Sequence, residues 1–479
     1  MSFLTRRMPM DGGDVAEHHR LTPTLSWPHL IALGVGAIVG TGIYTLIGVG
    51  AGLAGPGVML SFAIAGAVCA CAALAYAEMA TLIPRAGSAY TYSYSVLGEG
   101  LAWIVGWSLI LEYTVVCGAV AAGWAGHAAE FVRAANLPLP DAMMASTLAL
   151  ENGELVVRGG FNILAAFIAL AVAGLLLVGA RESATVNMIL VVVKLAALGV
   201  FVAIALPAFN GAHFTPFAPF GFSGVDDTGT KVGIMAAASI IFFAFYGFDA
   251  VSTAAEETKD PGRNLTIGII GSMLACTAIY MLVAAAAIGA VLPSVFARSD
   301  APLVFVMDQL GQGGAAKLVA LAAVVALPTV IMAFMYGQSR IFFVMARDGL
   351  LPRRLAKVSS RGTPSTMTIV TGVLAALLAG VLPLGEIAAL ANAGTLAAFI
   401  AVLVCMMILR VRAKALPRVF RTPLWPVVGV FGVAGCLYLF TTLPNTAIWG
   451  FFIWNGLGLA VYLLYGRTRS VLAGPRPEL

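Results

Sequence analysis

The chain has 479 residues, of which 60% are hydrophobic and only 10% charged, with a formal net charge of +5. A soluble globular chain carries about 25% charged residues, and the apolar residues here fall in blocks of around 20, the length that crosses roughly 30 Å of hydrocarbon. These proportions exclude a string of soluble domains joined by polar linkers, and with no basic run interleaved with aromatics they imply no nucleic-acid partner.

Arg6, Arg7, Asp11, Asp14, Glu17 and Arg20 punctuate the start without an apolar stretch, so no cleavable signal is read there. Residues 1–25 are expected to form a cytoplasmic tail, mobile as far as about Arg20. Helices are then predicted at 27–52, 57–82, 99–130, 161–179, 183–207, 231–257, 265–291, 315–346, 364–383, 385–409, 424–442 and 446–466. Gly55-Pro56-Gly57, Pro84-Arg85-Ala86-Gly87 and Asp260-Pro261-Gly262 are turn signals between them. Residues 134–160 read as a polar external excursion with a short hairpin. Cys69, Cys71, Cys117, Cys276, Cys405 and Cys436 all lie in apolar blocks, and their spacing offers neither a disulfide nor a metal pattern.

Basic residues give the orientation. With the N-terminus in the cytoplasm, 20 of the 27 Lys and Arg fall in cytoplasmic segments, 5 lie outside, and Lys194 and Arg340 sit within helices. A four-to-one bias is a strong positive-inside signal. It predicts an all-α protein of twelve transmembrane helices in the inner (plasma) membrane, with both termini cytoplasmic and lipid as its surroundings.

Two helices carry breaks. The first contains Gly34-Val35-Gly36-Ala37-Ile38-Val39-Gly40-Thr41-Gly42, and the sixth contains Phe245-Tyr246-Gly247-Phe248-Asp249. Small residues at this spacing also serve close helix packing. Unwinding at Gly40-Thr41-Gly42 is favoured, because glycine lowers its cost and the two helices are first and sixth, as a repeat of five plus five would place them. Unwound backbone at membrane depth is tolerated where it lines a cavity. It leaves amides at one half-helix start for a carboxylate and carbonyls at another half-helix end for an ammonium group. An amino acid offers both.

The stretch 34–44 resembles the first-helix signature of the amino acid–polyamine–organocation superfamily, and 242–257 its sixth-helix signature. Ala75–Tyr90 and Gly337–Pro352 are similar to its second- and eighth-helix motifs. The resemblance covers roughly 25–465 and is closest to the cationic amino acid transporters and their bacterial relatives. It implies two five-helix inverted repeats (26–207 and 231–409), two added helices (424–466) and a cytoplasmic C-terminal tail (467–479). It also implies that the substrate carboxylate meets the amides of Thr41, Gly42 and Ile43, with Val39 beside them. The amine would meet the carbonyls of Phe243 and Ala244, with Asp249 nearby and Phe245 or Phe248 as an aromatic gate. Phe334 would face the substrate side chain, which argues for small neutral solutes over arginine.

Ionisable groups inside the hydrocarbon cost about 2.5–3.5 kcal/mol on insertion scales and need a reason. Lys194 follows Arg181 by 13 residues, about 20 Å of helix rise, which puts it near mid-depth. It reads either as a structural lysine bridging carbonyls of the broken first helix or as the carrier of a coupling proton, a role the resemblance supports. Glu112 binds the substrate or its amine, or makes a structural hydrogen bond. For Asp249, pocket polarity and helix stabilisation compete. Glu78, near Arg85 in the same motif, is expected in a structural or gating salt bridge, and Arg340 as a cytoplasmic-side gate or anchor. His127 is placed at the outer interface without a role.

These observations predict a secondary active transporter, proton-coupled, for small neutral or cationic L-amino acids, working by alternating access. An amino acid/polyamine exchanger or a transporter-like sensor is the alternative. No enzyme chemistry, cofactor, metal or obligate protein partner is expected: the helices carry few histidines and no H-E-x-x-H.

Overall fold

The computed structural model describes residues 6–10, 25–85, 87–134, 139–151, 154–178, 184–227, 229–255, 258–352, 355 and 365–473. The expected tail residues 1–5 and 11–24, Arg181 and the last six residues lie outside them.

The chain is a helical membrane bundle. In order come α1 (Trp27–Ile38), α2 (Ile47–Ala54), α3 (Val58–Leu82), α4 (Ser88–Val96), α5 (Glu99–Ala134), α6 (Ile163–Val178) and α7 (Ala184–Ala205). Then follow α8 (Ile234–Ile241), α9 (Phe248–Thr253), α10 (Pro261–Ala290), α11 (Pro293–Phe296), α12 (Pro302–Gln309), α13 (Gly313–Ala326) and α14 (Pro328–Arg347). The last are α15 (Ser365–Val381), α16 (Leu384–Arg412), α17 (Trp425–Thr442) and α18 (Asn445–Val461). Among the described residues, nine continuous helical runs are long and apolar enough to cross a membrane, and Ile163–Leu177 and Ser365–Val381 are shorter apolar helices. The first run, Trp27–Leu82, has 56 residues, far more than the ~20 of one crossing, and it turns at the expected Gly55-Pro56-Gly57.

The excursion expected outside the membrane contains a hairpin, Leu148–Glu151 paired antiparallel with Glu154–Val157. Three short helices were not anticipated: α4, α11 and α12 are too brief to show a membrane-length apolar block. The predicted 315–346 helix is two pieces meeting at Pro328, whose missing N–H interrupts the hydrogen-bond ladder. The start of the chain departs from a wholly mobile tail. Met8 is buried and its amide donates to the Tyr94 carbonyl, while the Glu99 amide donates to the Arg6 carbonyl at 2.8 Å.

Both breaks sit at the centre of the bundle. In the first helix, α1 ends at Ile38, Val39 is extended, and a widened turn over Gly42–Leu46 leads into α2. In the sixth, α8 passes into a tight turn at Phe242–Ala244 and restarts as α9. Gly247 makes that restart possible. Its φ is +122°, and a Cβ there would lie 2.9 Å from the Ala37 carbonyl carbon, so only glycine fits the backbone and the approach of the two helices. On the other side of the breaks a Cβ on Gly42 would overlap the Ala244 backbone. The two broken helices thus touch directly, above and below their breaks.

Candidate functional site

A helix restarted inside a membrane exposes its first amides, and a helix stopped there exposes its last carbonyls. Here the two kinds of end face one small cavity. Its polar rim is the backbone at Gly40, Thr41 and Gly42, with Ala37 and Ile38 beside it. Phe243 and Tyr246 come from the sixth helix, Val116 and Val120 from α5, and Val330 and Phe334 from α14. No charged side chain lines it. The Thr41 hydroxyl is buried without a protein partner.

Lys194, on α7, is fully buried. Its ammonium donates to the carbonyl of Gly36 at 2.6 Å, to that of Val39 at 2.9 Å and to the Thr329 hydroxyl at 3.3 Å. Three donors meet three acceptors, as a buried ammonium requires. Two of these acceptors are carbonyls at the end of α1. A third, that of Ile38, accepts from the Tyr280 hydroxyl at 2.7 Å. The lysine therefore spans the break in the first helix and ties it to α14.

Asp249 opens α9. It accepts from the Gly247 amide at 3.0 Å through one oxygen and from the Tyr113 hydroxyl at 2.7 Å through the other. This places an acid in the first turn of the restarted helix, which the positive end of its dipole favours, and ties it back to Gly247. Glu112 is also fully buried, and neither carboxylate oxygen has a protein partner. Its Cβ lies against Gly394 of α16. Neither acid lines the cavity.

Of the residues expected around the solute, Thr41, Gly42, Phe243 and Phe334 line the cavity. Val39 contributes its carbonyl to Lys194, and Ala244 backs onto Gly42. Ile43 is buried outside the lining. Phe245 and Phe248 do not line it. Phe245 packs edge-on to Phe62 and Tyr280, and Phe248 packs on Tyr76 and Phe399. The tight turn rotates both rings away, and Phe243 and Tyr246 take the cavity face instead.

The residues expected on the cytoplasmic side are paired differently from their sequence neighbours. Glu78 bonds Arg410 at 2.8 Å and Arg418 at 3.0 Å, and it accepts from the Thr422 amide at 2.8 Å. Arg85, the partner suggested by proximity in the motif, lies instead near Asp348, whose carboxyl burial pushes above the ordinary range, offset by Arg347, Tyr90 and Arg85. Arg340 stacks on the Tyr336 ring one turn back on its own helix, with its carbon 3.4 Å from the ring centre. His127 is buried, with Nδ1 3.0 Å from the Gly123 carbonyl oxygen.

Several residues that shape the site escaped the sequence reading. Asn392 of α16 donates to the carbonyl of Ser239 at 2.6 Å near the end of α8. Thr329, Tyr280 and Tyr113 each hold one edge of a break. Their signal was a polar group in an apolar block, which is weaker than a charge. Among the described residues, no group of three His, Cys, Asp or Glu side chains could hold a metal ion.

Residues 25–464 match the family described as amino acid permease. The chain is 41% identical to the branched-chain amino acid permease BcaP of Bacillus subtilis over 92% of this chain and 93% of that protein. It is 37% identical to the methylthioribose transporter of the same organism, over 98% and 100%. It is 36% identical to the vacuolar cationic amino acid transporter 4 of Arabidopsis thaliana, over 86% and 67%.

Proposed function

This chain belongs to the amino acid permease family, within the amino acid–polyamine–organocation superfamily and close to the cationic amino acid transporters and their bacterial relatives, and from that premise we propose that it imports neutral aliphatic L-amino acids of the branched-chain class together with a proton. The observation that carries the cargo is the cavity wall. Val116, Val120, Val330 and Phe334 surround the space beyond the backbone rim, and no charge faces it. A cationic side chain there would lose its hydration without a partner, which is costly. The name of the Bacillus subtilis permease agrees.

In this reading the carboxylate lies against the amides of Thr41 and Gly42 and the ammonium against carbonyls near Phe243. The side chain points toward α5 and α14. Alternating access moves the first and sixth helices around that site in a twelve-pass, inverted-repeat bundle in the inner membrane, with cytoplasmic termini. Lys194 carries the coupling proton. Protonated, it holds the carbonyls of Gly36 and Val39, and deprotonated it releases them.

Uptake of labelled L-leucine into proteoliposomes under an inward proton gradient tests the proposal, with valine, isoleucine, alanine, arginine and methylthioribose as competitors. Competition by the branched-chain set above the rest is expected. Arginine or methylthioribose outcompeting leucine overturns the cargo, and leucine accumulation indifferent to the proton gradient overturns the coupling.

A further inference from the structure

Tyr113 lies one layer behind the cavity and touches two other elements, α14 and α9. Its ring packs edge-on to Phe334 of α14, with centres 5.2 Å apart and planes at 63°. The same ring closes on Gly337, where a Cβ would come within 2.7 Å of Cε1. Its hydroxyl donates to Asp249 at 2.7 Å, and the other oxygen of Asp249 accepts from the Gly247 amide at 3.0 Å. Gly247 in turn lies against Ala37 and Ile38 of the first helix. Phe334 lines the cavity, but Tyr113 and Asp249 do not.

We propose that Tyr113 is a positioning residue for transport, relaying the position of Phe334 at the solute's side-chain end to the break in the sixth helix. This rests on the reading of the cavity as the solute site. The ring is wedged: Gly337 leaves room for it and nothing larger, so a shift of Phe334 moves Tyr113 rather than being absorbed. Close-packed interiors transmit such displacements. The hydroxyl then pulls on the carboxylate in the first turn of α9, and Gly247 carries the change to the end of α1. The relay joins a group that senses the cargo's bulk to both helices that must move. It needs the hydroxyl, whereas packing needs only the ring.

Tyr113→Phe separates the two. In the full-length protein in proteoliposomes, leucine dissociation constants within about twofold of wild type are expected. The maximal uptake rate falls by about tenfold or more, the range that a lost hydrogen bond to a charged group commands. Hydrogen exchange at amides 247–251 of the solute-free protein rises by a similar factor. Combined with Asp249→Asn, the loss is no greater than that of the more damaging single variant. If Tyr113→Phe lowers the yield of folded protein, Gly337→Ala displaces the same ring and should show the same split between rate and affinity. Uptake at the wild-type rate, equal losses of affinity and rate, or unchanged exchange at 247–251 overturns the relay. A wild-type protein that carries no leucine overturns the cargo alone, because exchange reads the relay without solute.

Discussion

Replacing Lys194 with alanine removes three hydrogen bonds, at 2.6, 2.9 and 3.3 Å, two of them from the end of the broken first helix. Hydrogen bonds to a charged group contribute about 1.5–3 kcal/mol each, so the two carbonyl bonds represent about 3–6 kcal/mol. Against that, the variant no longer buries an ammonium, which costs about 2.5–3.5 kcal/mol on insertion scales. The two offset each other in part, so Lys194→Ala is expected to fold but to melt below wild type. Function should change far more. One pH unit corresponds to 1.36 kcal/mol, so one-proton symport of a neutral solute concentrates it about tenfold for each unit of gradient at zero membrane potential. Proteoliposomes with an imposed inward gradient of one unit, clamped electrically, should approach that ratio with wild type and stay near one with Lys194→Ala, while counterflow exchange of preloaded leucine persists. Lys194→Arg should fail as well, because arginine holds its charge and cannot release the latch. Tenfold accumulation by the alanine variant, driven by protons alone, would show that the lysine only braces the helix.

Thr41→Val keeps the shape of the rim and removes its hydroxyl, and loss of leucine binding by calorimetry with an unchanged melting point is expected. Gly42→Leu should abolish binding too, but with a lower melting point, because its side chain meets Ala244. Phe334→Ser opens the cavity end and should widen the range of solutes that compete for uptake, whereas strong arginine uptake by the unmodified protein would count against the aliphatic pocket. Glu78→Ala leaves Arg410 and Arg418 without their shared carboxylate, a loss of about 3–5 kcal/mol for a broken buried pair, and a melt within a degree of wild type would refute it. Asp348 gives a pH trend: burial raises its carboxyl on folding, so the folded state binds more protons and its contribution is lost as pH rises through the folded value. Melts of Asp348→Asn should therefore gain on wild type from about pH 4 to pH 8, and a margin that shrinks with pH would refute the sign.

Apolar block length made most of the spanning helices legible, because the bilayer imposes a length that soluble folding does not. The breaks were legible because glycine and an acid in the middle of a span are expensive without a purpose. Lys194 followed from the same argument, and its partners near Gly36–Val39 follow from the depth of both segments. What stayed hidden depends on rotation about a helix axis. The tight turn at Phe242–Ala244 moves Phe245 and Phe248 off the face they would occupy in a regular helix. Glu78 was matched to the arginine seven residues on, but its partners come from 332 and 340 residues away. Pairing across such separations is decided by packing, and a single sequence does not carry it.

The two broken helices are held in unlike ways, and the difference bears on mechanism. The first is tied by an ammonium that can lose its proton, bonded to backbone carbonyls that cannot change charge. The sixth is tied by a carboxylate bonded to a backbone amide and a tyrosine, whose ring lies against the wall of the cavity. In the proposed mechanism a proton acts on the first fastening and a solute on the second. The helices meet at Gly42–Ala244 and at Gly247–Ala37, so neither can swing far while the other is fixed. The state of each fastening is therefore felt by both helices, and in the proposed symport a leak of either partner is suppressed because movement responds to both occupants. Removing the lysine's latch should on this logic loosen the requirement for protons and leave the requirement for solute intact, so the Lys194→Ala protein exchanges leucine for leucine but does not concentrate it.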